Sequence, residues 1–151
     1  MSAVADPPSA PVDDVPYFVP TPTGEEFICA VANGDPLELR LLLLVGSRGS
    51  GKTVTSFFSV IALAERLLAE GKGHLLPIRV AVIRDTYQNL KRTTIPSYRE
   101  CERLGVPMEW RDDDRECLIH TEDAWLAHFY FFGLDNNQDA DNLQGFMCGV
   151  M

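Results

Sequence analysis

Hydrophobic residues recur at helical spacing between residues 54 and 70 of this chain of 151 residues. Apolar positions three and four residues apart share one face of a helix, so this segment is predicted to be an amphipathic helix. Gly71 and Gly73 follow it, as is typical of the end of a helix. The continuous apolar run at 41–45, just before the helix, is typical of a buried strand. The apolar positions of the helix are Val54, Phe57, Phe58, Ile61, Ala64, Leu67 and Leu68.

Short apolar runs predict strands on both sides of that helix. Residues 27–32 and 37–45 favour two strands joined by a turn at 33–35. Residues 79–84 favour a strand after the helix, which completes a strand–helix–strand unit with parallel strands.

The pattern changes again after residue 84. Asp85 is predicted to cap a helix that is interrupted near Pro96, because proline cannot donate a backbone hydrogen bond. The acidic run 112–114 lies between predicted strands and favours a solvated turn over a cation site. The remaining predictions are a helix at 97–104, strands at 109–111, 117–121 and 124–133, a polar turn or short helix at 135–142, and the start of an apolar strand at 146–151.

Composition narrows the class of protein. Residues 1–16 are rich in proline and predicted to be a disordered tail, and residues 17–151 are predicted to form one domain. The net charge of −9 disfavours binding of duplex DNA by bulk electrostatics. The four cysteines form no C-x-x-C pair, which suits a reducing compartment. No run reaches the ~18 apolar residues that span a bilayer. We therefore expect a soluble cytoplasmic protein.

Residues 46–53 carry the clearest chemical signal. They fit the phosphate-loop (Walker A) template G-x-x-x-x-G-K-[ST] at every fixed position, with a predicted strand before and a helix after. In such a loop, backbone N–H groups converge on phosphate oxygens at a helix N-terminus. The lysine would reach the β- and γ-phosphates, and the hydroxyl of the last residue would bind Mg²⁺. The predicted nucleotide contacts are Gly46, Ser47, Arg48, Gly49, Ser50, Gly51, Lys52 and Thr53, with Thr53 as the metal ligand.

ATP hydrolysis also requires an acid at the end of a neighbouring strand. Asp85 follows a predicted strand, but it starts a helix and has no adjacent glutamate. Residues 147–151 look like the start of the strand that would end in such acids. The sequence is therefore expected to be truncated before its Walker B acids.

Several segments together resemble the large terminase subunits of tailed bacteriophages. The loop 46–53 is similar to that family's Gly-x-Arg-Gly-x-Gly-Lys-Ser/Thr loop. Residues 80–84 followed by 86–93 resemble the strand and helix after it, and 131–135 with 142–145 resemble the approach to its Walker B acids. The resemblance covers about residues 17–151.

This resemblance implies an α/β, three-layer P-loop NTPase of the RecA-like type, with a mainly parallel central sheet that is incomplete at the C-terminus. It implies a motor domain that couples ATP hydrolysis to packaging of double-stranded viral DNA, with Mg²⁺ as cofactor. The implied partners are the portal protein and the small terminase subunit, in a homo-oligomeric ring within the host cytoplasm. Lys52 and Arg48 would be catalytic, with Arg48 on the γ-phosphate, and Tyr17 and Phe18 match the place that receives adenine. Gln144 stands where many relatives carry a basic residue.

Two other functions fit the same loop. A small phosphotransferase of the nucleoside-kinase type shares it, although those enzymes usually need an arginine-rich lid that the segment 109–132 lacks. A nucleotide-binding remnant would keep the loop without hydrolysing ATP. The two adjacent aromatic residues at 17 and 18 could equally cover the edge of the sheet.

Overall fold

The computed structural model describes residues 18–35, 42, 44–45, 49–111, 113, 115–135 and 137–148. Its centre is a mixed sheet of four strands in the order β1-β4-β3-β2, in which β1 and β4 are parallel and the other neighbours antiparallel. The strands are β1 (Ile78–Arg84), β2 (Met108–Arg111), β3 (Glu116–His120) and β4 (Trp125–Gly133).

Helices before, between and after the strands complete the described fold. None of the described helices contains an apolar stretch long enough to cross a bilayer. The helical elements are α1 (Pro22–Ala32), α2 (Lys52–Ala69), a 3₁₀ turn (Gly73–Leu75), α3 (Tyr87–Asn89), a π-helical turn (Leu90–Thr94), α4 (Ile95–Arg103) and α5 (Asn137–Cys148).

The hydrophobic core lies between one face of the sheet and the helices α2 and α4. Phe57 from α2 packs on Phe129 from β4, with ring centroids 5.4 Å apart. Tyr98 from α4 meets the edges of both rings at 4.9 and 5.3 Å, and it also contacts Phe131. Alternate residues of β4 point to this face, because side chains along a strand alternate between its two sides. The sequence periodicities of α2 and β4 thus meet in one aromatic cluster.

The helical segment after β1 is wound unevenly. Its π-helical turn at Leu90–Thr94 buries the first and last residues, and α4 continues directly from it. Pro96, in the first turn of α4, has no N–H for the carbonyl of Arg92. The predicted interruption near the proline therefore falls in the turn that precedes it.

Several predictions are confirmed by these elements. The amphipathic helix after the phosphate loop is α2, and the strand predicted at 79–84 is β1. The three short strands predicted between residues 109 and 133 are β2, β3 and β4.

The predicted RecA-like fold with a mainly parallel sheet is wrong. Only one pair of the described strands, β1 and β4, is parallel, because β3 forms an antiparallel hairpin with β4 and β2 continues it. The parallel unit predicted from strand–helix–strand spacing is thus confined to one edge of a mixed sheet.

Two local predictions are also wrong. The strand predicted at 27–32 lies in α1, so no hairpin leads into the phosphate loop. Residues 147 and 148, where the Walker B strand was expected to begin, belong to α5. The predicted tail at 1–16 and most of the predicted strand at 37–45 lie outside the described residues.

Candidate nucleotide-binding site

The second half of the phosphate loop is shaped by two glycines. Gly49 and Gly51 have φ angles of +80° and +75°, a left-handed conformation that side-chain-bearing residues rarely adopt. Gly51 then leads directly into α2, as its N-cap residue. Backbone geometry therefore explains the glycines at positions 49 and 51. Residues 46–48, which include the predicted γ-phosphate contact Arg48, lie outside the described part of the chain.

The N-terminus of α2 is left open to the loop. The helix begins at Lys52 and runs for 18 residues, and no side chain caps its first N–H groups. Its first turn carries no acidic residue, so no carboxylate of that turn competes for these donors. The backbone N–H of Thr55 already donates to the carbonyl of Gly51 at 2.8 Å. The N–H groups before it are suited to an anion, which the helix dipole also favours.

Lys52 folds back over the loop. Its Nζ donates to Oγ of Ser50 at 3.1 Å, which places the ammonium group beside the open helix end. Thr53 occupies the next position of the first turn, as its predicted role as a Mg²⁺ ligand requires. That role stays a prediction.

A cavity of about 200 Å³ lies at this end of α2. One side is formed by the loop and the first turn of α2, and the other by the first turn of α1, a contribution that the sequence analysis missed. The sequence does contain a feature typical of a helix start here, a threonine followed by a proline (Thr21 and Pro22). In the structure the Thr21 hydroxyl accepts a hydrogen bond from the N–H of Gly24 at 3.2 Å. The cavity is lined by Thr21, Thr23, Gly24, Leu44, Val45, Ser50, Lys52 and Thr55.

Phe18 lies away from this cavity. Its ring stacks on Phe58 of α2, with centroids 4.7 Å apart and planes 5° from parallel. Together with Pro20 and Ile28 it lines a separate apolar cavity of about 580 Å³. The described contacts of Phe18 are thus packing contacts on α2, and Tyr17 lies outside the described residues.

Three carboxylates gather where the parallel strands β1 and β4 end. Asp85 accepts two bonds from the Asn89 side chain at 2.9 and 2.8 Å, and these bonds lower the pKa of its carboxyl group. Asp135 accepts from the backbone N–H of Tyr87 at 3.0 Å. Asp139 is 3% exposed, accepts from the N–H of Gly133 at 3.2 Å, and pairs with an arginine from the β2–β3 turn. All three are already hydrogen-bonded within the protein.

Gly133 makes this junction possible. A Cβ at this position would overlap the backbone of Tyr87 and the carboxylate of Asp135, so only glycine fits. The end of β4 and the segment after β1 therefore touch backbone to backbone.

Among the described residues, no group of three or more His, Cys, Asp or Glu side chains is placed to hold a metal ion. Comparisons of the chain with family models, with curated proteins and with solved structures found no match.

Proposed function

We propose that this chain binds ATP with Mg²⁺ at the phosphate loop, as the ATP-binding part of a bacteriophage terminase large subunit. One observation carries the proposal: a left-handed glycine, Gly51, leads into the uncapped N-terminus of α2, where Lys52 is the first residue. A chance match to the motif need not have this backbone geometry, whereas a helix N-terminus reached through such a turn is suited to an anion.

Each group at the site has a specific task in this proposal. The N–H groups of the first turn of α2 bind phosphate oxygens, and the Lys52 ammonium neutralises the terminal phosphates. The Thr53 hydroxyl binds Mg²⁺, which bridges the β- and γ-phosphates. The cavity of about 200 Å³ is smaller than most ligand pockets, which measure about 300–1,000 Å³, so it holds only part of the nucleotide.

The terminase assignment rests on the order of the sequence motifs. The mixed sheet gives it no support, so coupling of ATP hydrolysis to packaging of double-stranded viral DNA is proposed from the resemblance alone. The portal protein and the small terminase subunit are proposed as partners on the same ground.

Residues 1–151 are expected to bind ATP but to hydrolyse it slowly. A group that orients or deprotonates the attacking water is worth about 10²–10⁴-fold in rate. Asp85, Asp135 and Asp139 already accept hydrogen bonds from the protein, which leaves each carboxylate fewer lone pairs for that water.

Calorimetric titration with Mg–ATP tests the binding site. We expect Lys52→Ala to weaken binding by about 10- to 100-fold, because a hydrogen bond to a charged group is worth about 1.5–3 kcal/mol. Lys72→Ala is the matched control, since it removes the same charge just beyond the opposite end of α2, where Lys72 pairs with Glu70. Tight, Mg²⁺-dependent binding by the Lys52 variant would contradict the proposed site.

Product analysis then tests the class of reaction. ATP is incubated with the protein, with and without nucleoside acceptors and with and without duplex DNA. Release of phosphate that duplex DNA stimulates would support the terminase assignment. Transfer of phosphate to a nucleoside would identify a phosphotransferase instead.

A further inference from the structure

Gly24 lies in the first turn of α1, buried against the first turn of α2. A Cβ at this position would lie 3.2 Å from Oγ1 of Thr21 and 3.2 Å from Oγ1 of Thr55, closer than side chains normally pack. Thr55 is itself only 3% exposed. The missing side chain thus sets how closely the two helix starts approach each other.

Backbone conformation does not explain this glycine. Its φ is not positive, unlike that of Gly49 and Gly51 in the phosphate loop. Glycine is also among the poorest residues for stabilising a helix, so alanine would favour α1 by itself. Glycine is therefore needed here because a side chain would not fit between α1 and α2. The neighbouring atoms have little freedom to move aside. The Thr21 hydroxyl already caps α1, and Thr55 is enclosed.

We propose that Gly24 is a positioning residue of the nucleotide site. Its close packing on Thr55 holds the first turn of α1 in place as the second wall of the cavity at the phosphate loop. The inference rests on the proposed binding of ATP. It adds that α1 belongs to the binding unit, although the phosphate-loop motif lies more than twenty residues further along the chain.

The geometry explains why a small displacement would matter. Thr21, Thr23 and Gly24 face Ser50 and Lys52 across a cavity of only about 200 Å³. A side chain at position 24 would press on Thr55 of α2, so the first turn of α1 would have to shift or rotate. This shift would change the shape of the cavity and weaken nucleotide binding. The hydrophobic core contacts a different part of α2, so its packing would stay the same.

The test compares the affinity for Mg–ATP with the melting temperature. We expect Gly24→Ala to weaken binding by about threefold to thirtyfold, which lies within the range of coupling between residues in contact. Its melting temperature should change little, because the gain in helix propensity offsets the strain of the new contact. Gly145→Ala is the matched control: Gly145 lies in α5 with nothing within 4 Å of its added Cβ, so ATP binding should not change.

A double-mutant cycle separates positioning from a general disturbance. Thr55→Ala removes both Thr55 atoms that the new Cβ would meet, Oγ1 and Cγ2. In the presence of Thr55→Ala, adding Gly24→Ala should therefore cost at most half of its original loss in affinity on a logarithmic scale. A full additional loss in the double variant would overturn the inference, as would unchanged ATP binding by Gly24→Ala. If the unmodified protein does not bind Mg–ATP at all, the proposed function itself is wrong.

Discussion

The two ends of α2 serve different purposes. Its first turn faces a small cavity with a mixed polar and apolar lining, has no side-chain cap from Gly51 and follows two left-handed glycines. Beyond it, residues 57–67 bury their apolar side against the sheet and α4. The apolar part contributes stability, whereas the open first turn leaves hydrogen-bonding groups without helical partners. Binding sites commonly contain such groups, which lower the stability of the folded protein but are available to a ligand.

Among the variants that test this difference, removal of an aromatic ring from the core should have the largest effect, a loss of stability. Phe129 is 1% exposed and contacts the rings of Phe57 and Tyr98, so we expect Phe129→Ala to lower the free energy of unfolding by about 3–5 kcal/mol. Urea denaturation measures it. Trp125→Ala is the control, because Trp125 is 44% exposed at the start of the same strand and should cost much less. Equal losses from the two variants would show that the aromatic cluster is not the main source of stability.

Changing the open end of α2 should instead leave stability alone. We expect Thr53→Ala to bind ATP only at an Mg²⁺ concentration about tenfold higher, because one charge-assisted contact to the metal is lost. Thr93→Ala removes a hydroxyl that bonds only to the backbone of its own helical segment, and it serves as control. An Mg²⁺ titration of ATP binding that matches the unmodified protein would remove Thr53 from the site.

The smallest expected effect concerns the cysteines of the core. Burial raises the pKa of Cys101 to about 11 and that of Cys117 to about 12, whereas Cys29 on α1 is exposed. Thiolates are the reactive form, so at pH 8 a thiol reagent should label Cys29 and leave the two core cysteines unmodified. Mass spectrometry of the labelled peptides measures this. Rapid labelling of Cys117 in folded protein would mean that the core opens readily.

The same shifts link stability to pH. A buried thiol prefers its protonated form, so each of these thiols makes its full contribution to the free energy of unfolding below the ordinary thiol pKa of 9.0. It is lost as the pH rises through about 11 for Cys101 and about 12 for Cys117. Denaturation between pH 7 and pH 10.5 should therefore show a decline only in the alkaline half of the range.

Sequence reasoning found the elements with strong periodicity. α2 repeats apolar residues over nearly five turns, and β4 is a long run rich in aromatic residues, which favours a strand. The run 27–32 was misread as a strand because a short apolar segment has no period to distinguish the two structures. The phosphate loop was recognisable because its glycines, its lysine and its threonine are each required by local geometry.

Strand order could not be obtained in the same way. The pattern of β4 shows which side chains point inward, but it does not show that β1 is its neighbour on one side and β3 on the other. The β1–β4 pairing joins residues about fifty positions apart, such as Val80 and Phe129. The contribution of α1 to the cavity was not predicted for a similar reason, since Gly24 meets Thr55 only in the folded chain.

The π-helical turn at Leu90–Thr94 determines how α4, the helix that follows it, is rotated about its own axis. Each residue turns an α-helix by about 100°, and a π-helical turn accommodates one residue more than an α-helical turn. A regular α-helix over the same residues would therefore rotate Tyr98 and Cys101 of α4 by about that angle, away from the sheet, whereas the π-helical turn absorbs the extra residue. The angular setting of the aromatic core is thus determined several residues before the core begins.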